Sequence, residues 1–178
     1  MRKIVLTFGL IAGAILSVMM LITLPFHDQI GFDKGLVIGY TTMVLAFLMV
    51  FFGVKSYRDN VGGGRVTFGR AFLVGLLITL VASVCYVATW QVIYYRFMPD
   101  YLDKYAAYSV AKARKSGASD AKIAAQVKEM AEFQEMYKNP LVNVAFTLLE
   151  PLPVGILFTL VTAGVMSRKR RVAGAAVA

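Results

Sequence analysis

The stretch LVNVAFTLLEPLPVGILFTLVTAGVM, residues Leu141–Met166, decides how the chain is read. It is apolar over a length that crosses a bilayer. Its one charged residue, Glu150, is followed at once by Pro151, Pro153 and Gly155. At about 1.5 Å of rise per residue, that acid lies roughly 13 Å inside a hydrocarbon core about 30 Å thick. A charge there costs about 3 kcal/mol or more, so the carboxyl must be neutral, paired or turned toward a polar cavity. Pro151 and Pro153 take two N–H groups out of the helix ladder and free carbonyls about one turn earlier, near Thr147 and Leu149. A protonated Glu150 donating to one of these carbonyls is the expected arrangement.

The whole composition matches this stretch. The chain is 58% hydrophobic and 16% charged, where soluble domains run near 45–50% and about 25%; mean hydropathy is +0.67. The net charge of +9 comes from basic residues crowded at the ends of apolar runs, where they set orientation in a membrane. Nucleic acid is therefore not an expected partner. Cys85, the only cysteine, lies within an apolar run, which excludes an internal disulfide and suits a small buried residue.

Three further spans precede the quoted one. Span one, residues 4–24, follows Met1-Arg2-Lys3, is too long for the apolar part of a cleaved signal peptide, and carries the small pair Gly9 and Gly13, a surface for close helix approach. A short acidic connection with Asp28 and Asp33 leads to span two, residues 36–54; His27, at the membrane edge, is expected to be a solvated loop residue. The polar turn that follows carries Lys55, Tyr57, Arg58, Asp59, Gly63, Gly64 and Phe68. Its triple glycine lacks the Gly-Lys-Ser/Thr ending and preceding strand of a phosphate loop. Span three covers residues 71–95, with Phe68 and Phe72 at one end and Trp90, Tyr94 and Tyr95 at the other as aromatic belts.

Residues 99–139 alone have soluble-protein character. Tyr101, Tyr105 and Tyr108 recur on one helical face, and Ile123, Val127, Met130, Phe133 and Tyr137 on another. Gly117 reads as a helix stop and Ser119 as the next N-cap, giving a helical hairpin whose apolar faces pack on each other or on the membrane. Span four, residues 141–166, ends in a basic run and a small-residue tail, residues 167–178, which reads as disordered.

Arg2, Lys3, Lys55, Arg58, Arg65, Arg70 and the four basic residues from Arg168 to Arg171 mark one face, opposed there only by Asp59. By the positive-inside rule both termini are cytoplasmic and the hairpin is outside. Counted inward from the outer ends, Ser17, Thr42, Ser83, Cys85 and Tyr86 share the depth of Glu150. Tyr86 and Ser83 are the candidate hydrogen-bond partners of its carboxyl. The expected fold is all-α, a single membrane domain built as a four-helix bundle with an extracytoplasmic helical hairpin between spans three and four.

Gly39-Tyr40-Thr-Thr-Met43, the run from Phe52-Gly53-Val-Lys55 through Gly63-Gly64 to Phe68-Gly69-Arg70-Ala71-Phe72, and Lys138-Asn139-Pro140 with Glu150 and Pro153-Val154-Gly155 resemble a family of bacterial four-span membrane proteins, domain of unknown function 4199. The resemblance covers nearly the whole chain and implies a multi-pass protein of a bacterial inner membrane. It implies no activity, cofactor or site residue.

No His-Glu-x-x-His, no pair of intramembrane aspartates and no Ser with a His partner is present, so the chain is not expected to be an enzyme or to hold a cofactor or metal. The expected function is a non-enzymatic module that sits in the lipid bilayer and holds a lipid, a protein partner or a second copy of itself. The competing expectation is a small proton-coupled carrier using Glu150 at a helix break.

Overall fold

The computed structural model describes residues 1–168, and the end of the basic run and the small-residue tail lie outside the described residues. The described residues are helical without strands. In chain order the helices are α1 (Arg2–Thr23), α2 (His27–Asn60), α3 (Phe68–Arg96), α4 (Tyr101–Lys115), α5 (Asp120–Tyr137), α6 (Pro140–Leu149) and α7 (Pro151–Met166), with a 3₁₀ turn at Leu24–Phe26 joining α1 to α2. By continuity, three helical stretches are long and apolar enough to cross a membrane: Arg2–Asn60, Phe68–Arg96 and Pro140–Met166. The first of these is not straight. It bends at the 3₁₀ turn and again at Gly31, whose φ of 70° a side chain would resist. Its two arms, α1 and α2, pack side by side.

The acidic connection expected before residue 36 is therefore an elbow built of helix rather than a loop. On either side of the Gly31 kink, Asp28 and Asp33 face the lysines of α4: Lys104 Nζ stands 3.4 Å from Asp28 Oδ1 and Lys112 Nζ 2.6 Å from Asp33 Oδ1.

Helices α1, α2, α3 and α7 share one core, centred on Phe47, Val50, Val74, Ile78 and Ala163. Small residues bring their backbones together, as helices packed in an apolar medium require. A Cβ on Gly9 would stand 2.7 Å from Val81, and one on Gly13 2.6 Å from the Cys85 side chain, so this pair is the seat of α3 on α1. The outer faces carry exposed large apolar side chains such as Leu10, Ile22, Leu36, Val84, Leu157 and Val161. That pattern inverts the soluble one and suits a helix surface facing lipid.

The hairpin of α4 and α5 forms as expected, and it seats on the rest of the molecule through a second apolar cluster of Tyr94, Leu102 and Tyr137. Gly117 stops α4 at φ 76°, with Ala118 N–H donating back to the Ala113 carbonyl at 3.1 Å. Ser119 occupies the N-cap position of α5, but its hydroxyl makes no capping bond. At the next junction, Asn139 does cap α6: its side chain accepts from Leu141 N–H at 3.0 Å, and Pro140 supplies the preset φ of a first helical residue.

Candidate functional site

The break between α6 and α7 falls at Glu150 because the two prolines that follow cannot donate to the preceding turn. Glu150 N–H retains only a long 3.4 Å bond to the Thr147 carbonyl. Gly155 then lets α7 lie directly against α3, where Thr79 Oγ1 donates to its carbonyl at 3.4 Å and pairs with Thr159 Oγ1 at 3.3 Å.

The Glu150 carboxyl does not cap a freed carbonyl. It accepts a 2.5 Å hydrogen bond from the Tyr86 hydroxyl on α3, and no hydrogen bond from it to a carbonyl is found among the described residues. The expected arrangement is corrected on this point. Pro151 is buried in the core while the acid is turned outward, so the carboxyl opens into a cavity and not onto its own helix. Tyr86 is thus the partner that its depth suggested. Ser83 is not: it is fully buried on α3, and its Oγ has no hydrogen-bond partner among the described residues.

That cavity, about 380 Å³, lies between α1, the elbow, α2, α3 and α4. The Tyr86 and Glu150 pair stands in its wall together with Trp90, Tyr101, Tyr105 and Tyr108. The tyrosine stripe of α4 is accordingly a packing face and a cavity wall at once. Phe32 of the elbow sits against all three tyrosines with ring centroids 5.0–5.6 Å apart. His27 is not the solvated residue expected of a loop; it is half-buried, edge-on to Phe32 at 5.2 Å and to Tyr101 at 5.6 Å. At the solvent end, the bond from Lys112 holds the Asp33 carboxyl below its ordinary range, and Asp33 in turn raises the Lys112 ammonium. Lys104 is raised in the same way, by Asp100 first and by Asp28.

A buried polar chain lies behind this wall. Trp90 Nε1 donates to Tyr137 OH at 3.0 Å, Tyr137 OH meets Thr147 Oγ1 at 3.3 Å, Thr147 Oγ1 donates to the Asn143 carbonyl at 2.8 Å, and Gln91 Nε2 donates to Asn143 Oδ1 at 2.7 Å. It ties α5 and α6 to α3. The sequence reading named Thr147 only for its carbonyl and passed over Asn143, although a signal was present: with Glu150 they recur at spacings of four and three along an apolar helix.

The glycine-containing turn is not brought to this site. It lies at the Met166 end of α7, where Arg58 pairs with Asp59 at 2.8 Å and Arg58 Nη1 reaches Met166 Sδ at 3.2 Å. Gly63 and Gly64 take positive φ, Lys55 is exposed, the Tyr57 carbonyl accepts from Val61 N–H at 3.0 Å, and Phe68 stacks on Phe72 at 6.2 Å. Among the described residues no group of three His, Cys, Asp or Glu side chains gathers as a metal site would.

The model of a family described as protein of unknown function (DUF4199) matches residues 7–168, and the chain belongs to that family. No curated protein and no solved structure matches it.

Proposed function

We propose that this member of the DUF4199 family is a non-enzymatic module of a bacterial inner membrane that binds a small amphipathic molecule, a lipid or a compound like one, in the cavity beside Glu150. The observation that carries this reading is the cavity itself. Its volume of about 380 Å³ falls in the range of small-molecule sites, about 300–1,000 Å³, and it joins an apolar wall to a few convergent polar groups as such sites do. On this reading α1, α2, α3 and the α6–α7 pair are four crossings, both termini are cytoplasmic, and α4 and α5 stand outside as part of the binding site. The basic residues of the α2–α3 turn and of the chain's C-terminal end support that orientation.

The test is to purify the protein in mild detergent and identify what remains bound by mass spectrometry. A cavity-filled variant, Gly39→Phe, is the comparison, since a Cβ at Gly39 meets nothing within 4 Å and the residue lines the cavity. The wild type is expected to carry a bound species in fixed ratio that the variant loses while staying monodisperse. Identical bound species in both would overturn the reading. The carrier reading draws on one observation, a titratable carboxyl at a helix break that opens into a cavity. It differs in requiring Glu150 to gain and lose a proton in each cycle.

A further inference from the structure

The cavity's chemistry points to the kind of molecule it takes, and this step rests on the binding reading above. Among the described residues Glu150 makes no ion pair, and Tyr86 satisfies only its Oε2. Electron-rich rings that line the same cavity form a continuous wall, with Trp90 edge-on to Tyr101 at 4.9 Å and Tyr101 stacked on Tyr105 at 6.5 Å. The one lysine in the lining, Lys112, is already engaged by Asp33 at 2.6 Å and by Tyr108 at 3.1 Å. One side of the lining is aliphatic, with Leu16, Met19, Met20, Ile38 and Met43, and the rest includes Thr23, His27, Phe32, Tyr40 and Thr42.

We propose that the cavity binds an amphiphile with an organic ammonium head, the cation lying between the Glu150 carboxylate and the faces of Trp90, Tyr101 and Tyr105, with its alkyl chain along the methionine-lined side. A cation over aromatic faces is attracted by the ring quadrupole, and more strongly when water is excluded. It also supplies the counter-charge that an acid at this depth needs. An anionic head would meet the carboxylate and the negative ring faces together. A neutral head would leave the carboxylate uncompensated. The ammonium has two sources, the headgroup of a lipid or a free lipophilic amine.

Trp90 is the only tryptophan of the chain and lines the cavity, so its emission reports occupancy directly. The full chain in phosphatidylglycerol nanodiscs is titrated with decyltrimethylammonium and, separately, with decyl sulfate. The cation is expected to change Trp90 emission saturably, at least about tenfold more tightly than the sulfate. Glu150→Gln should weaken the cation about tenfold and should not weaken the sulfate, which loses a like-charged neighbour, in line with the loss of a charged partner for the cation. Tyr105→Leu should weaken the cation by about two- to fivefold, and it decides the matter if the Gln variant does not fold. Nanodiscs containing phosphatidylethanolamine distinguish the sources. They compete with the added cation if the natural ammonium is a headgroup, and leave its binding unchanged if it is a free amine. Equal binding of the two head charges, or a cation affinity indifferent to both substitutions, overturns the ammonium assignment and leaves the cavity a binding site. A Trp90 signal that neither amphiphile moves overturns the binding reading itself.

Discussion

Tyr86 donates to Glu150, and that direction determines what substitutions at either residue do. An amide at position 150 keeps a carbonyl oxygen for the tyrosine, so Glu150→Gln is expected to change thermal stability in detergent by less than about 1 kcal/mol, the usual worth of a hydrogen bond inside a membrane protein. Glu150→Leu strands the Tyr86 hydroxyl in the cavity wall and should cost about 1–2 kcal/mol. Asn143 is a more severe case. It is fully buried and touches both Gln91 and Thr147, so Asn143→Ala breaks the chain from α3 to α6 and should cost about 2 kcal/mol or more in the same melting experiment. The acid was legible in the sequence as a charge too deep to be left alone. Its partner was legible only as a depth, because the choice between Tyr86 and Ser83 depends on which face of α3 each occupies. Ser83 points into the helix core and Tyr86 into the cavity.

Helix ends and close approaches were the most legible features at the scale of elements, since prolines, glycines and caps act locally. The stop at Gly117, the start at Pro140 and the break after Glu150 all follow from residue types within a few positions. The elbow was not legible. Asp28, Asp33 and Lys34 resemble a loop in composition, and only the lysines of α4, some 75 to 80 positions later, explain why acids stand on a helix there. Gly155 tests the close approach of α7 to α3, because a Cβ there collides with the Thr79 side chain. Gly155→Ala should destabilise the protein by about 1–3 kcal/mol, while Gly164→Ala, with open space around it, should be neutral or stabilising. The elbow contact has a pH signature. Asp33 is held below its ordinary value of 3.8, so its contribution is complete above that value and is lost as pH falls through its lowered value in the folded protein. Lys112 is held above 10.5, so its contribution is complete below that value and is lost as pH rises beyond its raised one. Between these limits α4 should stay on the elbow. Acrylamide quenching of Trp90, whose ring lies against Tyr101 of α4, should therefore rise when the pH is brought well below 3.8 and should be higher for Asp33→Asn than for wild type at pH 7. Identical quenching of the variant and the wild type at pH 7 would show that the ion pair does not hold α4 in place.

The whole molecule combines an apolar exterior and an apolar helix core with polar groups gathered toward one end. Large aliphatic side chains cover the outside of α1, α2, α3 and α7, apolar side chains such as Phe47, Val50 and Ile78 fill the contacts between these helices together with threonines and small residues, and the carboxyl, aromatic rings and polar chain gather toward the side on which α4 and α5 sit. The helical class and the apolar runs were legible from hydropathy alone, but the cavity was not. Its lining comes from α1, the elbow, α2, α3, α4 and the α6–α7 break, and no spacing within one segment reports how such elements meet. On the proposed topology the hairpin and the cavity mouth beneath it face one side of the membrane and the basic α2–α3 turn faces the other. Maleimide labelling in intact cells decides this topology, with single cysteines placed at Gly117 and at Gly63 in a Cys85→Ala background. Both positions have open space around them, and because their positive φ strains a cysteine, each variant is first checked for expression and monodispersity. Gly117→Cys should react with a membrane-impermeant maleimide from outside, and Gly63→Cys only after the cytoplasmic membrane is permeabilised. Labelling of both from the same side would contradict the account.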